Sequence, residues 1–188
     1  METFVFLRSQ SNSGETAMAT ICWALCIKNL KSGALLFNKY VQLTMLQHHC
    51  QRSSHPIKLM ERSVYSARYC FVEKMKRDQI LSAASAAVID EHFKWLKNNA
   101  STGVDLIVYL RTTPEVVYKR MMERNRAEEK SVSFDYLKEL HDIHENWLYY
   151  KNLHHCPAPV LVLNADLDKS DIKRNMKNVR HTYLMNFQ

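Results

Sequence analysis

The stretch that most constrains this fold is Val104–Lys130, VDLIVYLRTTPEVVYKRMMERNRAEEK. It opens with Leu106-Ile107-Val108-Tyr109-Leu110, an apolar run with turn residues on either side. Such a run suits a strand buried on both faces. Thr113 then offers an N-cap, Pro114 fits a first helical position, and Glu115 complements a helix N-terminus. A buried strand therefore turns directly into a helix, expected over 114–126. Arg120, Arg124 and Arg126 crowd its end, with Glu128 and Glu129 just after. Arg120 and Arg124 are four apart and share a face if the helix persists. Three guanidiniums beyond the carboxyl end of a buried strand can clamp a phosphate chain. They can equally complement the dipole of a solvated helix end. Spacing alone favours the solvated helix end.

The rest of the chain is read around this unit. A strand is expected over 3–7, then a helix over 16–30 that breaks at Lys31-Ser32-Gly33. A second helix, 34–51, has Leu36, Tyr40 and Leu43 on one side. A short strand, 57–60, ends at Glu61-Arg62-Ser63, and helices follow over 64–77 and 86–99. Another helix is expected over 134–150, with Leu137, Leu140, Ile143 (or His144) and Trp147 on one face. PVLVL, 159–163, is a last strand before Asn164-Ala165-Asp166, and a polar helix starts at about Ser170. Strands alternating with helices indicate an α/β fold with a mostly parallel sheet flanked by helices. Ligands of such sheets bind beyond the carboxyl ends of the strands. Glu61-Arg62 and the arginine-rich segment both fall there.

With 188 residues, 46% hydrophobic and 24% charged, a single domain with a full core is expected. The formal charge of +7 comes from scattered Lys and Arg. It is compatible with an anionic ligand and gives no stripe for nucleic acid. The five cysteines show no zinc spacing, and the apolar patch around CWALC (22–26) is too short to span a membrane. The N-terminus holds Glu2, Glu15 and a single Arg before Lys28, without the arginine-rich character of an import signal.

Glu61-Arg62-Ser63 could place a carboxylate near a metal and a cation near an attacking oxygen. It could also be an ion pair at a helix start with Ser63 as N-cap. His141, His144 and Glu145 have metal-like spacing with no third partner motif, which favours a structural helix face. His48-His49 and His154-His155 are expected at the surface. Met121-Met122 and the aromatics Tyr69, Phe71, Trp95 and Trp147 are expected in the core. The loop Ser9-Gln10-Ser11-Asn12-Ser13-Gly14-Glu15-Thr16 sits where a P-loop belongs. It keeps one glycine and Thr16, but Glu15 stands where the lysine should be.

From about Ala34 to Asp168 the chain resembles the animal deoxyribonucleoside kinases, in particular their mitochondrial thymidine kinase and multisubstrate group. The resemblance rests on FNKYVQLTML (37–46), LMERSVYSARYCFVE (59–73), DLIVYLRTTPEVVYKR (105–120), RNRAEE (124–129), YLKELHDIHENWL (136–148) and PVLVLNADL (159–167). It implies a P-loop nucleoside-kinase-like fold that moves the γ-phosphoryl of ATP, with Mg²⁺, to the 5′-hydroxyl of thymidine or deoxycytidine in nucleotide salvage. By this resemblance Glu61 is the metal-side carboxylate and Arg62 holds the 5′-oxygen. Arg120, Arg124 and Arg126 form a lid within 120–130, and Glu129 accepts the sugar 3′-hydroxyl. Val41, Met45, Ala67 and Phe71 line the base pocket. Asn38 stands at the base-reading glutamine. Asp166 borders the adenine, and Thr16 is what remains of the phosphate loop. The implied partners are a homodimer mate or an intact paralogue, with neither nucleic acid nor membrane, in a mitochondrial or cytoplasmic setting.

The same comparison implies a divergent segment, 1–33, before a kinase domain, 34–188. The family's general base ends a strand in a Glu-Pro pair, and this sequence contains no Glu-Pro. Only 20 residues separate Thr16 from Phe37, too few for a helix, that strand and the segment covering the substrate. The expectation is a kinase fold with an incomplete N-terminal part and weak or no phosphoryl transfer. Its alternative role is as a nucleoside-binding or dimerisation module.

Overall fold

The structure, a computed structural model, describes residues 4–8, 33–52, 57–168, 170–172 and 174. Its elements run β1 (Phe4–Arg8), α1 (Ala34–Cys50), β2 (Lys58–Glu61), α2, α3 (Ala83–Asn99), β3 (Leu106–Arg111), α4 (Pro114–Arg124), α5 and β4 (Val160–Asn164). Helix α2 starts at Val64–Ser66, widens into π-helix over Ala67–Val72, and closes as Glu73–Arg77. Helix α5 is α-helical over Phe134–His144 and π-helical over Glu145–Tyr149. The expected helix over 16–30 and most of the C-terminal one lie outside the described residues, as does Thr16.

The α/β reading holds. The four strands are ordered β2-β1-β3-β4. β3 and β4 are parallel, from Ile107 opposite Val160 to Arg111 opposite Asn164. β1 departs from a parallel sheet. It runs antiparallel to β2, with Val5 opposite Glu61 and Arg8 opposite Lys58. It is also antiparallel to β3, with Phe4 opposite Tyr109 and Leu7 opposite Leu106. β2, β3 and β4 therefore point one way, and β1, wedged between β2 and β3, points the other.

β3 is the axis, as its apolar run demands. Ile107 and Tyr109 pack on one side with Met60, Phe93, Ile143 and Trp147. Leu106 and Val108 pack on the other with Leu163. Pro114 opens α4 as expected, but the Thr113 side chain makes no capping bond there. Its hydroxyl turns to Asp166 Oδ1, at 3.3 Å. Helix α3 begins three residues before the expected 86, because Ser82 Oγ accepts the Ser85 amide at 3.1 Å.

Helix α1 turns the side carrying Leu36 and Leu43 outward. Its buried residues are Ala34, Asn38, Gln42 and His49. Leu36 is 73% exposed, and Leu43 is exposed with it. Gln42 Oε1 meets His92 Nδ1 of α3 at 2.9 Å. His49, expected at the surface, reaches the Val64 amide with Nε2 at 3.4 Å. The buried Lys58 ammonium donates to the His48 and His49 carbonyls at the end of α1 and to that of Gln51 just after it. A cation on the last carbonyls complements the helix dipole. These polar links dock α1 against α3 and the β2–α2 corner, beside the apolar contacts of Ala34, Leu35, Met45 and Leu46. Trp95 and Met122 are exposed rather than core, and His154 stacks on Tyr69 at 4.2 Å.

Candidate functional site

The corner after β2 is built by local chemistry. Ser63 Oγ accepts the Tyr65 and Ser66 amides at 3.2 and 3.4 Å. Ser66 Oγ answers by accepting the Ser63 amide at 2.9 Å, completing a capping box. The preceding residue, Arg62, is forced to φ 65°, the left-handed region that costs a side-chain-bearing residue about 1–2 kcal/mol. Strain of this kind persists where the surroundings over-determine it. Here the Arg62 guanidinium lies 4.6 Å over the Phe71 ring, which also meets the edge of His144 at 6.5 Å. Phe71 sits in the π-helical turn of α2, a feature common at functional sites.

These groups open onto a cavity of about 230 Å³ between α1, α2, α4 and α5. It unites Val41, Met45, Arg62, Phe71, Arg124, Arg126 and Glu129 from the expected set. Asn38 and Ala67 are buried but do not line it. Glu61 is exposed at the end of β2, one residue before the cavity's Arg62. Arg120 is engaged elsewhere: it donates to the carbonyls of Ala165 at 2.6 Å and Leu167 at 3.1 Å. Asp166, in the same loop, accepts the Thr113 amide at 2.9 Å. Arg120 and Asp166 thus tie the loop after β4 to the start of α4, beside the cavity and not in it.

Sequence reading missed much of the wall. Met121 comes from α4; Tyr136, Leu137, Leu140, His141 and His144 come from α5. The signal was there, since 137, 140, 141 and 144 follow the i, i+3, i+4, i+7 rhythm of one helix face. Glu145, read as part of a possible metal pattern, has another role. Its carboxylate takes the Tyr109 hydroxyl at 2.7 Å and a forked Arg111 at 2.8 and 3.0 Å. Among the described residues no group of three or more His, Cys, Asp or Glu is placed to hold a metal, and no helix is long and apolar enough to cross a membrane.

His144 donates from Nδ1 to the Leu140 carbonyl at 2.7 Å, which leaves its Nε2 lone pair unprotonated. Burial, against the pull of that carbonyl and with the help of Arg62 and His141, lowers its pKa to about 3. Above pH 6.5 the ring is neutral in folded and unfolded chains alike. Below it the unfolded chain binds the proton first, so stability falls as pH drops from 6.5 towards 3. By pH 5 this amounts to about 2 kcal/mol. Urea unfolding at pH 7 and pH 5 is expected to show the loss in the native protein and a smaller one in His144→Phe. Equal losses would contradict it.

The comparisons identify the family. The family model of deoxynucleoside kinases matches residues 24–185. Human thymidine kinase 2, mitochondrial, is 46% identical over 132 residues, covering 70% of this chain and 50% of the relative. A probable deoxycytidine kinase of fowlpox virus is 36% identical over 121 residues, 64% of this chain and 52% of its own. Deoxycytidine kinase 2 of Gallus gallus is 33% identical over 150 residues, 75% and 57%. The chain thus spans about half the length of these curated relatives. On the family match and the sequence identities, this chain belongs to the deoxynucleoside kinase family.

Proposed function

We propose that the chain holds a pyrimidine deoxyribonucleoside, thymidine or deoxycytidine, as the acceptor half of the family's salvage reaction. The observation that carries this reading is one cavity joining Val41, Met45 and Phe71 to Arg62, Arg124, Arg126 and Glu129. Small-molecule sites are of this kind: largely apolar walls with a few convergent polar groups. In this reading the apolar residues hold the base, with Ala67 and Asn38 behind them. Glu129 takes the sugar hydroxyl, and Arg62 stands at the 5′-oxygen beside Glu61. Arg124 and Arg126 face developing phosphoryl charge, while Arg120 and Asp166 shape the adenine border.

The family implies ATP as donor, with Mg²⁺. A lone carboxylate such as Glu61 suits Mg²⁺, which keeps its waters and arrives with substrate phosphates. The triphosphate does not fit equally well. Backbone cradles for phosphate lie where a strand's carboxyl end meets a helix, on the side where the other strands end. β1 ends at Arg8, beside the start of β2, away from Glu61. The proposed activity of this polypeptide is therefore to bind the nucleoside, with transfer impaired.

Thymidine at a hundredfold excess over its Kd should raise the unfolding midpoint by about 5–10 °C. Phe71→Ala should erase most of that rise. No stabilisation by millimolar thymidine or deoxycytidine would sink the reading.

A second role is favoured by one surface. Leu36 and Leu43 on α1, and Val88 and Trp95 on α3, are exposed pairs seven residues apart. That spacing keeps each pair on one side of its helix. The two helices are joined through Gln42–His92, and Lys39 donates to the Val88 carbonyl at 3.5 Å. We propose that this apolar face pairs with a second copy or an intact paralogue, which sedimentation of Trp95→Glu against the native protein would test.

A further inference from the structure

We infer that Arg124 sets how strongly this cavity reads the sugar 3′-hydroxyl, because it occupies Glu129 until a nucleoside takes its place. The inference rests on the nucleoside reading above and adds a specificity determinant to it.

The pair is made by the end of α4. Asn125 adopts the left-handed conformation that closes the helix, φ 49°. The chain then turns through the 3-10 segment Ala127–Glu129, which brings Glu129 back against the last helical residue. Arg124 Nε donates to Glu129 Oε2 at 3.1 Å, and Nη2 donates to Oε1 at 2.6 Å. This fork uses both carboxylate oxygens, the strongest pairing available to a guanidinium. Arg126 Nη1 is 3.9 Å from the same Oε1. Glu129 is only 8% exposed, while the Arg124 side chain is 37% exposed. The carboxylate is fixed in the wall, and the arginine is the partner with room to move.

A sugar hydroxyl entering this cavity meets a carboxylate already satisfied. Its hydrogen bond to Glu129 replaces part of the Arg124 fork, so the net gain from the hydroxyl is small. Displacement also releases the Arg124 guanidinium towards solvent, where an anion can take it up. By linkage, whatever favours the released arginine favours the bound hydroxyl equally. Were Arg124 only a tie in the lid, removing it would change affinity for every nucleoside alike.

Thymidine and 3′-deoxythymidine separate these cases. In the native protein the two dissociation constants should lie within about threefold of each other. In Arg124→Met, Glu129 keeps only the distant Arg126, and a hydroxyl bonded to a charged acceptor should favour thymidine by about tenfold or more. Arg124→Lys, which restores a point charge without the fork, should fall between. Calorimetry on the three proteins, each checked for cooperative unfolding, gives the ratios. A ratio that stays within twofold of native in Arg124→Met overturns the inference while leaving the nucleoside reading intact. Failure of the native protein to bind either compound overturns both.

Discussion

Purified protein given ATP, Mg²⁺ and thymidine is expected to turn over more than about 10⁴-fold below the ~1–100 s⁻¹ usual for kinases. Two losses combine. A general base supplies roughly 10²–10⁴ in rate, and the family's Glu-Pro base motif does not occur in this sequence. A fixed cation on the transferring charge supplies on the order of 10²–10³, and the sequence reading puts Glu15 in the place of the phosphate-loop lysine. Strand direction compounds both. A phosphate loop must follow its strand at the end where Glu61 and Arg111 lie, and β1 leaves at the other. Thymidine binding should survive if the proposed cavity holds it, since that cavity is lined from α1, α2, α4 and α5. The decisive comparison is native protein against Glu61→Ala. A rate abolished by that change would mean that a working phosphate site assembles at Glu61 despite β1's direction.

How much of this was legible in the sequence depends on which physical signal carried each part. β3 and α4 were readable because a doubly buried strand leaves a continuous apolar run and Pro114 marks a helix start. The Ser63 cap was readable because capping is local. The direction of β1 was not, because FVFLR fits either orientation and direction is set by connections. The buried face of α1 was not legible for a related reason. Helical periodicity reports that Leu36 and Leu43 share a side, but not whether that side meets the core or a partner. In α5 the rhythm itself changes. Ile143, His144 and Glu145 are buried in succession, then Trp147 and Leu148. No 3.6-residue period allows this; the π-helical turn shifts the phase and carries Glu145 inward. Arg120 shows the limit of motif reasoning. The motif put it in a lid facing phosphate, while its bonds to the Ala165 and Leu167 carbonyls depend on a loop 45 residues away.

Replacing Arg111 by Met is expected to destabilise the fold by about 3 kcal/mol at pH 7, the low end for breaking a buried ion pair. The low end applies because the Arg111 side chain is 41% exposed, whereas that of Glu145 is almost wholly buried. Burial pushes the Glu145 pKa up. The forked bonds from Arg111, with the Tyr109 hydroxyl, more than offset this and hold it below the usual carboxylate range. In the native protein this pair therefore stabilises above the unfolded carboxylate's pKa and loses its effect as pH falls through the lower folded value. With the arginine gone, burial is opposed only by the Tyr109 hydroxyl and the weaker pull of His141, and the folded carboxyl binds its proton more readily than in the native protein. The variant's deficit should then shrink as pH falls from 7 towards 4.5. Urea unfolding of both proteins at the two pH values measures this, and the buried His144, titrating alike in both, cancels in the difference. Arg111→Met combined with Glu145→Met should recover part of the loss, because two apolar side chains leave no charge stranded beneath β3. A deficit under about 0.5 kcal/mol, within the usual range for surface substitutions, would show that the sheet and α5 are held by their apolar contacts alone.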